Sequence, residues 1–386
     1  MKVLFVHDGP LFYDETGQYY EFAYHNLLER YKMLGTKVSF LMRTNEISND
    51  RKYTPVPKEI KVISVPNFKS VSSLKNINKA NQIIKEAVKQ NDIMVFRLPS
   101  EICQIGIKYA KKYNKPYIIE CVGCAWDSYW NHSLLGKFFA PYSYFKMKKA
   151  IRESKFVYYV TNEFLQKRYP TYGEKVACSN VVINSFDNQI LINRKKNNDK
   201  INKSKDSIVL GTAAAVDVKY KGQQYVIKAI SELNKQGYNF TYKLAGGFTS
   251  QNGSNYLKNI AKKYNVEDKT IFMGSLSKEQ MNDFYNQIDI YIQPSKQEGL
   301  PRAVIEAMNH ACPCIGSNIA GIPELIQHEF LFKPGNVEDI KEKILKICNA
   351  NLNQISEENF NNTKQYLKDN LDKKRKEFYN SFLEKI

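Results

Sequence analysis

The sequence predicts an α/β protein with two doubly wound, Rossmann-like domains. Short apolar runs rich in β-branched residues alternate with longer helical stretches, which is the pattern of a parallel sheet with crossover helices. The alternation stops in a polar stretch at residues 186–206 and then begins again. A chain of 386 residues, 43% of them hydrophobic, can form two domains that each bury a core.

The first domain is predicted at residues 1–185. Its opening strand is expected to be followed by a helix from about Gln18 to Leu34, where Gly35 would form a C-terminal cap. The other elements of this domain are predicted as strands at Lys2–His7, Lys37–Met42, Lys61–Val65, Ile93–Phe96, Pro116–Val122, Phe156–Val160 and Asn180–Ile183, and as helices at Ser73–Lys89 and Ser100–Tyr113.

Residues 186–206 are predicted to be a linker, because a segment so poor in apolar groups cannot help to build a core. The second domain is predicted at residues 207–355. Its elements are expected as strands at Ser207–Gly211, Phe240–Leu244, Thr270–Met273, Asp289–Gln293 and Pro313–Gly316, and as helices at Gly222–Lys235, Asn252–Tyr264, Ser277–Tyr285, Pro301–Asn309 and Val337–Ala350.

The tail, residues 356–386, is predicted to be a long polar helix that packs back on the first domain. Its apolar residues recur with a helical period, so they form a stripe that must be covered. The stripe consists of Phe360, Leu367, Leu371, Phe378 and Phe382.

The formal net charge of +18 favours an anionic partner: a nucleotide, a membrane surface, an acidic glycan or a nucleic acid. The same charge also fits an AT-rich genome that encodes many lysines. No nucleic-acid recognition motif accompanies it, so we expect no nucleic-acid partner. The first apolar run is too short for a signal peptide, and no window approaches the ~18 apolar residues of a membrane span. A cytoplasmic location is therefore expected.

The seven cysteines are odd in number and scattered, which argues against a disulfide framework. Cys121 and Cys124 have the spacing of half a zinc site, but no second close Cys/His pair has finger-like spacing. We therefore expect a strand end and its loop at this point, and no metal.

The strongest candidate site follows the predicted strand Asp289–Gln293, because ligands of doubly wound sheets bind outside the carboxyl ends of the strands. Glu298 lies in the loop, and Glu306 lies further along the next helix. Gly299 permits close backbone approach, and Pro301 suits the first helical position, where free amides can face a phosphate. Carboxylates there accept hydrogen bonds from sugar hydroxyls. The alternative is a capped helix with one exposed and one half-buried glutamate.

With seven residues between the two glutamates and a Glu-Gly-Leu-Pro context, this segment resembles the signature of glycosyltransferase family 4. Lys2–Asp8, Val182–Asp187 and Gly321–Ile326 also resemble that family. The resemblance implies a GT-B fold, with two Rossmann-like domains facing a cleft, and a retaining, metal-independent hexosyltransferase of bacterial envelope polysaccharide synthesis. It implies a UDP- or GDP-linked sugar donor, no other cofactor, and a glycan or lipid-linked acceptor.

The resemblance also implies residue roles. Glu306 would hold the ribose, and Glu298 would meet the donor sugar. The family places a Lys-Gly pair, preceded by an Arg, on the diphosphate; Lys221 and Gly222 match the pair, and Lys219 or Arg302 is expected to replace the arginine. A solvated lysine at a helix start is the alternative for Lys221. The remaining donor-site residues are expected to be Gly299, Leu300, Pro301, Gly246 and Gly247.

Two loops of the first domain are candidates for acceptor or phosphate binding. Gly17 and Gln18 precede a predicted helix whose amides would face an anion. Trp126, Asp127 and Trp130 follow a strand and could form a platform for a sugar ring; core packing of both tryptophans is the alternative.

Residues 134–155 combine aromatic side chains with a dense basic cluster, which predicts a peripheral site on the inner face of the cell membrane. The alternative is an ordinary helix with its aromatic residues in the core, and Pro141 is expected to interrupt any single long helix. The residues expected at the acyl boundary are Phe138, Phe139, Tyr142 and Phe145, and those expected at the headgroups are Lys137, Lys146, Lys148, Lys149 and Arg152.

Two other functions compete with glycosyl transfer. A non-hydrolysing sugar-nucleotide epimerase would share the two-domain architecture but would need no acceptor. A basic nucleic-acid-binding protein would explain only the charge.

Overall fold

The computed structural model describes residues 1–21, 27–47, 53–69, 71–131, 134–204, 207–248 and 255–386. They form two compact units, one of residues 1–178 together with 372–386, the other of residues 179–371. Both units are α/β with a parallel sheet, so the predicted fold class is confirmed.

The first unit contains a parallel sheet with strand order β6-β4-β1-β7-β8-β9-β10. Its first strand is buried from Val3 to Val6, as expected of a parallel strand covered on both faces. The strands are β1 Lys2–Val6, β2 Leu11–Tyr13, β3 Tyr19–Glu21, β4 Lys37–Glu46, β5 Thr54–Pro55, β6 Lys61–Val65, β7 Ile93–Leu98, β8 Tyr117–Cys121, β9 Phe156–Tyr159 and β10 Glu174–Ala177. The helices are α1 Leu27–Lys32, α2 Ile77–Gln90, α3 Glu101–Lys112, α4 Ala125–Trp130, α5 Leu134–Arg152 and α6 Phe164–Arg168.

The expected helix start at Gln18 is wrong. Gly17 and Gln18 lie in a turn that joins β2 to the antiparallel strand β3. The Asp14 carboxylate accepts hydrogen bonds from the Thr16 and Gln18 amides, which closes the turn, and Gly17 adopts a φ of +79°. Residues 22–26 of the predicted helix lie outside the described part of the chain.

The second unit contains a parallel sheet with strand order β13-β12-β11-β14-β15-β16. This is the doubly wound order, in which the winding direction reverses between β11 and β14. The strands are β11 Ile208–Ala213, β12 Phe240–Ala245, β13 Thr270–Gly274, β14 Ile290–Gln293, β15 Cys314–Ser317 and β16 Leu331–Phe332. The helices are α7 Asn188–Ser204, α8 Gln223–Lys235, α9 Tyr256–Lys263, α10 Lys278–Gln287, α11 Arg302–Asn309, α12 Val337–Cys348 and α13 Leu352–Asn362. Residues 252–254 of a predicted helix lie outside the described part of the chain.

The linker expected at residues 186–206 is corrected by the structure, because α7 occupies most of that segment. Buried polar contacts help to anchor this helix: the Arg194 guanidinium donates to the carbonyl oxygens of Tyr285 and Ile288, both at 2.6 Å. The strand expected at Asn180–Ile183 is reduced to a single bridge between Ile183 and Leu367.

The tail is divided rather than being one helix. After α13, a 3-10 turn at Thr363–Tyr366 leads into α14, Lys368–Glu384. Phe360 stacks on Phe186 of the second unit, with ring centroids 4.1 Å apart. Phe382 packs against Phe156 of the first unit at 5.0 Å. The apolar stripe therefore has one part on each unit.

No helix in the described segments is both long enough and apolar enough to span a bilayer.

Candidate active site

Two loops meet where the winding of the second unit's sheet reverses. One follows β11 and contains the 3-10 turn Lys219–Lys221, and the other follows β14 and contains Glu298. The Lys296 amide donates to the Tyr220 carbonyl oxygen at 2.7 Å, which joins the loops directly. This edge is where doubly wound sheets bind ligands, so the position agrees with the predicted site.

Gly222 is the residue that lets these loops approach each other. It has a φ of +80°, and a Cβ placed there would lie 2.0 Å from the Pro294 carbonyl oxygen. The same residue ends the 3-10 turn and begins α8. A side chain at this position would be excluded both by the backbone conformation and by the neighbouring strand end.

We expect Gly222→Ala to lower the free energy of unfolding by about 3 kcal/mol or more, because backbone strain of about 1–2 kcal/mol is joined by a backbone clash. Gly237→Ala is the matched control: Gly237 has a φ of +92°, but a Cβ placed there would have no heavy atom within 4 Å. It should lose only the strain. Urea unfolding of both variants makes the comparison, and equal losses would show that the close approach of the loops is unimportant.

Lys221 and Glu298, both predicted for the site, form an ion pair across the two loops. Lys221 Nζ lies 2.7 Å from Glu298 Oε1, and the side chains are only 22% and 11% exposed. The alternative of a solvated lysine at a helix start is therefore wrong. The pair brings one cation and one carboxylate to the same point of the sheet edge.

Two buried polar side chains hold Glu298, and sequence analysis missed both. Its Oε1 accepts from Ser295 Oγ at 2.7 Å and from Gln293 Nε2 at 3.0 Å. Tyr291 OH donates to Gln293 Oε1 at 2.7 Å, which fixes the orientation of that amide. The available signal was a glutamine at the end of an otherwise apolar strand, since a buried polar group requires a partner.

Glu306 lies on α11, one turn beyond Arg302, and is half-buried. Tyr285 OH donates to its Oε2 at 3.0 Å. Burial raises the pKa of Glu306 above its usual value, and the Tyr285 hydrogen bond and the Arg302 charge oppose this rise. Pro301 is the N-cap of α11 rather than its first helical residue, which corrects the predicted position by one.

The Gly299 carbonyl oxygen accepts from the Gly321 amide at 2.9 Å, so the segment after β15 supports the Glu298 loop. A Cβ on Gly321 would lie 2.4 Å from that oxygen. Leu300 packs against the hydrophobic core and anchors the end of the loop.

The two residues expected to replace the missing arginine are both exposed, and each has a different neighbour in the second unit. Lys219 is exposed, and its Nζ lies 5.9 Å from the centre of the Tyr256 ring. Arg302 is exposed at the start of α11, near Glu306. Lys296, which sequence analysis did not select, donates to Tyr225 OH at 2.9 Å.

Gly246 and Gly247 follow β12 and pack closely on both neighbouring strand ends. A Cβ at Gly246 would lie 2.1 Å from the Ala214 carbonyl oxygen, and one at Gly247 would lie 2.1 Å from Ser275 Oγ. The close packing of the loops after β11 and β13 is therefore enough to require glycine at both positions, without any ligand.

In the first unit, the amides at the start of α3 are bonded to a carboxylate of the chain itself. Asp8, at the end of β1, accepts from the Glu101 amide at 2.9 Å and the Ile102 amide at 3.1 Å, and pairs with Lys69. Burial would raise the pKa of Asp8, but Lys69 and these amides outweigh it and hold the pKa below its usual value. This helix start therefore already contains its own anion.

Trp126 and Trp130 stack on each other on α4, with ring centroids 5.3 Å apart and planes 17° apart. Trp130 is 42% exposed and Trp126 is half-buried, so the two rings do not form a shared core anchor. Asp127 lies between them in the first turn of α4.

Comparison with known proteins places the chain among sugar-transferring enzymes. A family model described as Glycosyl transferases group 1 matches residues 193–366. Protein CapJ of Staphylococcus aureus is 33% identical over 369 residues, which cover 93% of this chain and 89% of the relative. The O-antigen biosynthesis glycosyltransferase WclY of Escherichia coli is 30% identical over 151 residues, 39% of this chain and 40% of the relative. The structure of HepE from Anabaena with UDP and glucose covers all of both chains, with a TM-score of 0.65 at 16% identity.

Proposed function

This chain belongs to the group 1 glycosyltransferases and has the GT-B fold, and we propose that it is a retaining, metal-independent member of glycosyltransferase family 4. It transfers a hexose from a UDP- or GDP-linked donor to a hydroxyl group of a glycan or lipid-linked acceptor. Its product belongs to a bacterial envelope polysaccharide. The O-antigen relative supports that setting, and the UDP bound to HepE supports the donor class.

The pairing of Lys221 with Glu298 at the reversal point of the sheet carries this proposal. A lysine there can bind the donor diphosphate, whose negative charge grows as the bond to the sugar breaks, and the amides at the start of α11 can add to that stabilisation. In this reaction the bond from the anomeric carbon to the diphosphate oxygen breaks. The acceptor oxygen bonds to that carbon on the same face, and its proton passes to the departing phosphate oxygen.

The two carboxylates bind different parts of the donor. Glu306 accepts hydrogen bonds from the ribose hydroxyls, and Glu298 meets the donor sugar. Ser295 and Gln293, as well as Lys221, donate to Glu298. Glu298 therefore stays in position when the Lys221 ammonium group turns to the diphosphate. On the acceptor side, Trp126 and Asp127 in the first turn of α4 are the candidates for contact with a sugar.

We expect Glu298→Gln to lower kcat about tenfold while changing the affinity for free UDP or GDP by less than about threefold. The amide keeps the shape of the side chain but loses the charge that would face the sugar in the transition state. Initial rates and titration calorimetry measure the two effects separately. A loss of nucleotide affinity as large as the loss of turnover would contradict the assignment of Glu298 to the sugar.

A thermal-shift screen of UDP- and GDP-sugars tests the proposed donor class. A ligand at 100 times its dissociation constant adds about 2.7 kcal/mol, which corresponds to a rise in Tm of about 5–10 °C for a unit of this size. We expect either the UDP-sugars or the GDP-sugars to raise the Tm, and we expect free UDP or free GDP, respectively, to raise it by the same amount. Failure of both series to stabilise the protein would contradict the proposal.

A further inference from the structure

An ordinary surface helix turns its large apolar side chains toward the core. The first three turns of helix α5 do the reverse: large apolar side chains point outward and small ones point inward. In this part of the helix the buried residues are Gly136, Ala140 and Ser143, which are all small, whereas Met147 and Ile151 are buried in its last two turns. Large apolar side chains point outward, and we call them the α5 outer face. Its members and their exposed fractions are Leu134 84%, Leu135 72%, Phe138 86%, Phe139 55%, Tyr142 62% and Phe145 64%.

The alternative in which these aromatic residues lie in the core is therefore wrong. Pro141 does not interrupt the helix either, since α5 runs from Leu134 to Arg152 through it. A surface helix of a globular protein normally turns its apolar stripe inward, and a contiguous exposed apolar patch marks an interaction site.

The charges of α5 select the kind of partner. The helix contains the cations Lys137, Lys146, Lys148, Lys149 and Arg152, and its sequence contains no aspartate or glutamate. Lys146 pairs with Glu101 of α3 at 2.8 Å. Lys137 lies over the Trp130 ring at 5.6 Å, and the 42% exposed Trp130 extends the apolar surface onto α4.

A second copy of this chain fits this surface poorly, because it would bring the same cations against it. An anionic lipid surface fits both features: its acyl boundary accepts the aromatic side chains, and its headgroups accept the lysines. Tyrosine and tryptophan are the residues that suit such an interface, since each has an apolar body and a polar group.

We propose that the α5 outer face docks this protein on an anionic membrane, with α5 lying in the plane of the interface. The proposal does not depend on the donor site, because no residue of that site takes part. The electrostatic attraction comes from Lys148, Lys149 and Arg152. The apolar insertion comes from Phe138 and Phe145, which are seven residues apart and therefore lie on the same face of the helix.

Two double variants test the two contributions separately in the full chain. Lys148→Glu with Lys149→Glu reverses the charge, and its control is Lys108→Glu with Lys112→Glu, which makes the same change of net charge on two exposed lysines of α3. Phe138→Ser with Phe145→Ser removes the apolar insertion. Its control is Leu74→Ser, which removes an apolar side chain that is 52% exposed elsewhere on the same unit.

Co-sedimentation compares neutral phosphatidylcholine vesicles with vesicles that also contain about 30% phosphatidylglycerol, which makes their surface clearly negative. Wild type should bind the anionic vesicles at low salt and release them at high salt. Each lysine near such a surface contributes about fivefold in partitioning, so the lysine variant should lose about 25-fold or more. The phenylalanine variant should lose at least about tenfold. Both controls should bind as wild type does.

Three results would overturn the proposal. One is that wild type ignores anionic vesicles at low salt. Another is that the Lys108 and Lys112 control loses as much binding as the α5 variant, which would make the effect one of net charge alone. The third is that sedimentation equilibrium finds a wild-type dimer that Phe138→Ser with Phe145→Ser converts to a monomer, which would give the α5 outer face to a second copy. Unchanged sugar transfer to a soluble acceptor shows that each variant is folded.

Discussion

Replacing Lys221 by alanine is expected to lower kcat about 10²- to 10³-fold, the usual loss when one preorganised donor to a developing charge is removed. The lysine is held at 2.7 Å from Glu298 on a turn that Gly222 fixes against the end of β14. It is therefore positioned before the donor binds, and we propose that its charge stabilises the diphosphate as it leaves. Initial rates at saturating donor measure the effect.

Lys219→Ala is the matched control for Lys221→Ala, because it removes an equal charge from the same 3-10 turn. Lys219 is exposed and lies over Tyr256, so we expect a change of less than about fivefold. A large loss in Lys219→Ala as well would identify Lys219 as the replacement for the missing arginine. Equal and mild losses in both variants would show that neither lysine binds the diphosphate. The fold should survive Lys221→Ala, because Ser295 and Gln293 still donate to Glu298.

Glu306→Ala is expected to weaken the binding of free UDP or GDP roughly 10- to 150-fold, which corresponds to about 1.5–3 kcal/mol for a lost charged hydrogen-bond acceptor. Titration calorimetry measures it directly. Glu342→Ala, which removes an exposed carboxylate of α12 that pairs with the adjacent Lys343, should bind as wild type does. Unchanged affinity in a folded Glu306→Ala protein would remove Glu306 from the ribose site.

The pH dependence of nucleotide binding adds a second test of Glu306. Two ribose hydroxyls can both donate only to the ionised carboxylate, and burial raises the pKa of Glu306. Affinity should therefore be complete above this raised pKa and should fall as the pH is lowered through it. Tyr285→Phe removes a hydrogen bond that lowers this pKa but keeps a ring to stack on His310, so the fall should begin at a higher pH. An unshifted profile would contradict this role.

The sequence predicted most strands of the two parallel sheets, because a strand buried on both faces needs a continuous apolar run, but it missed the short strands β10 and β16 at the sheet edges. Val3–Val6 and Ile290–Ile292 are examples of such apolar runs, and both are buried. Glu298 and Glu306 were selected by their spacing and context and Lys221 by the resemblance to family 4, and the structure joins Lys221 to Glu298.

The errors arose where polar contacts decide the structure. Asp14 closes a turn that converts a predicted helix start at Gln18 into a hairpin, and composition does not show such a contact. Arg194 fixes α7 through carbonyl oxygens far away in sequence, so a segment without an apolar stripe still packs. Gln293 and Ser295 were missed for the same reason, because they matter through the hydrogen bonds that they donate to Glu298.

Proton NMR of a nucleotide sugar chosen by the thermal-shift screen, incubated with the enzyme and a panel of octyl glycosides, tests the central claim most directly. We predict that free nucleoside diphosphate accumulates together with a transferred sugar, and that the anomeric coupling of the product matches that of the donor. Slow transfer to water without a glycoside should release the same anomer first. Conversion of the nucleotide sugar to an epimer, with no release of nucleoside diphosphate, would contradict the account.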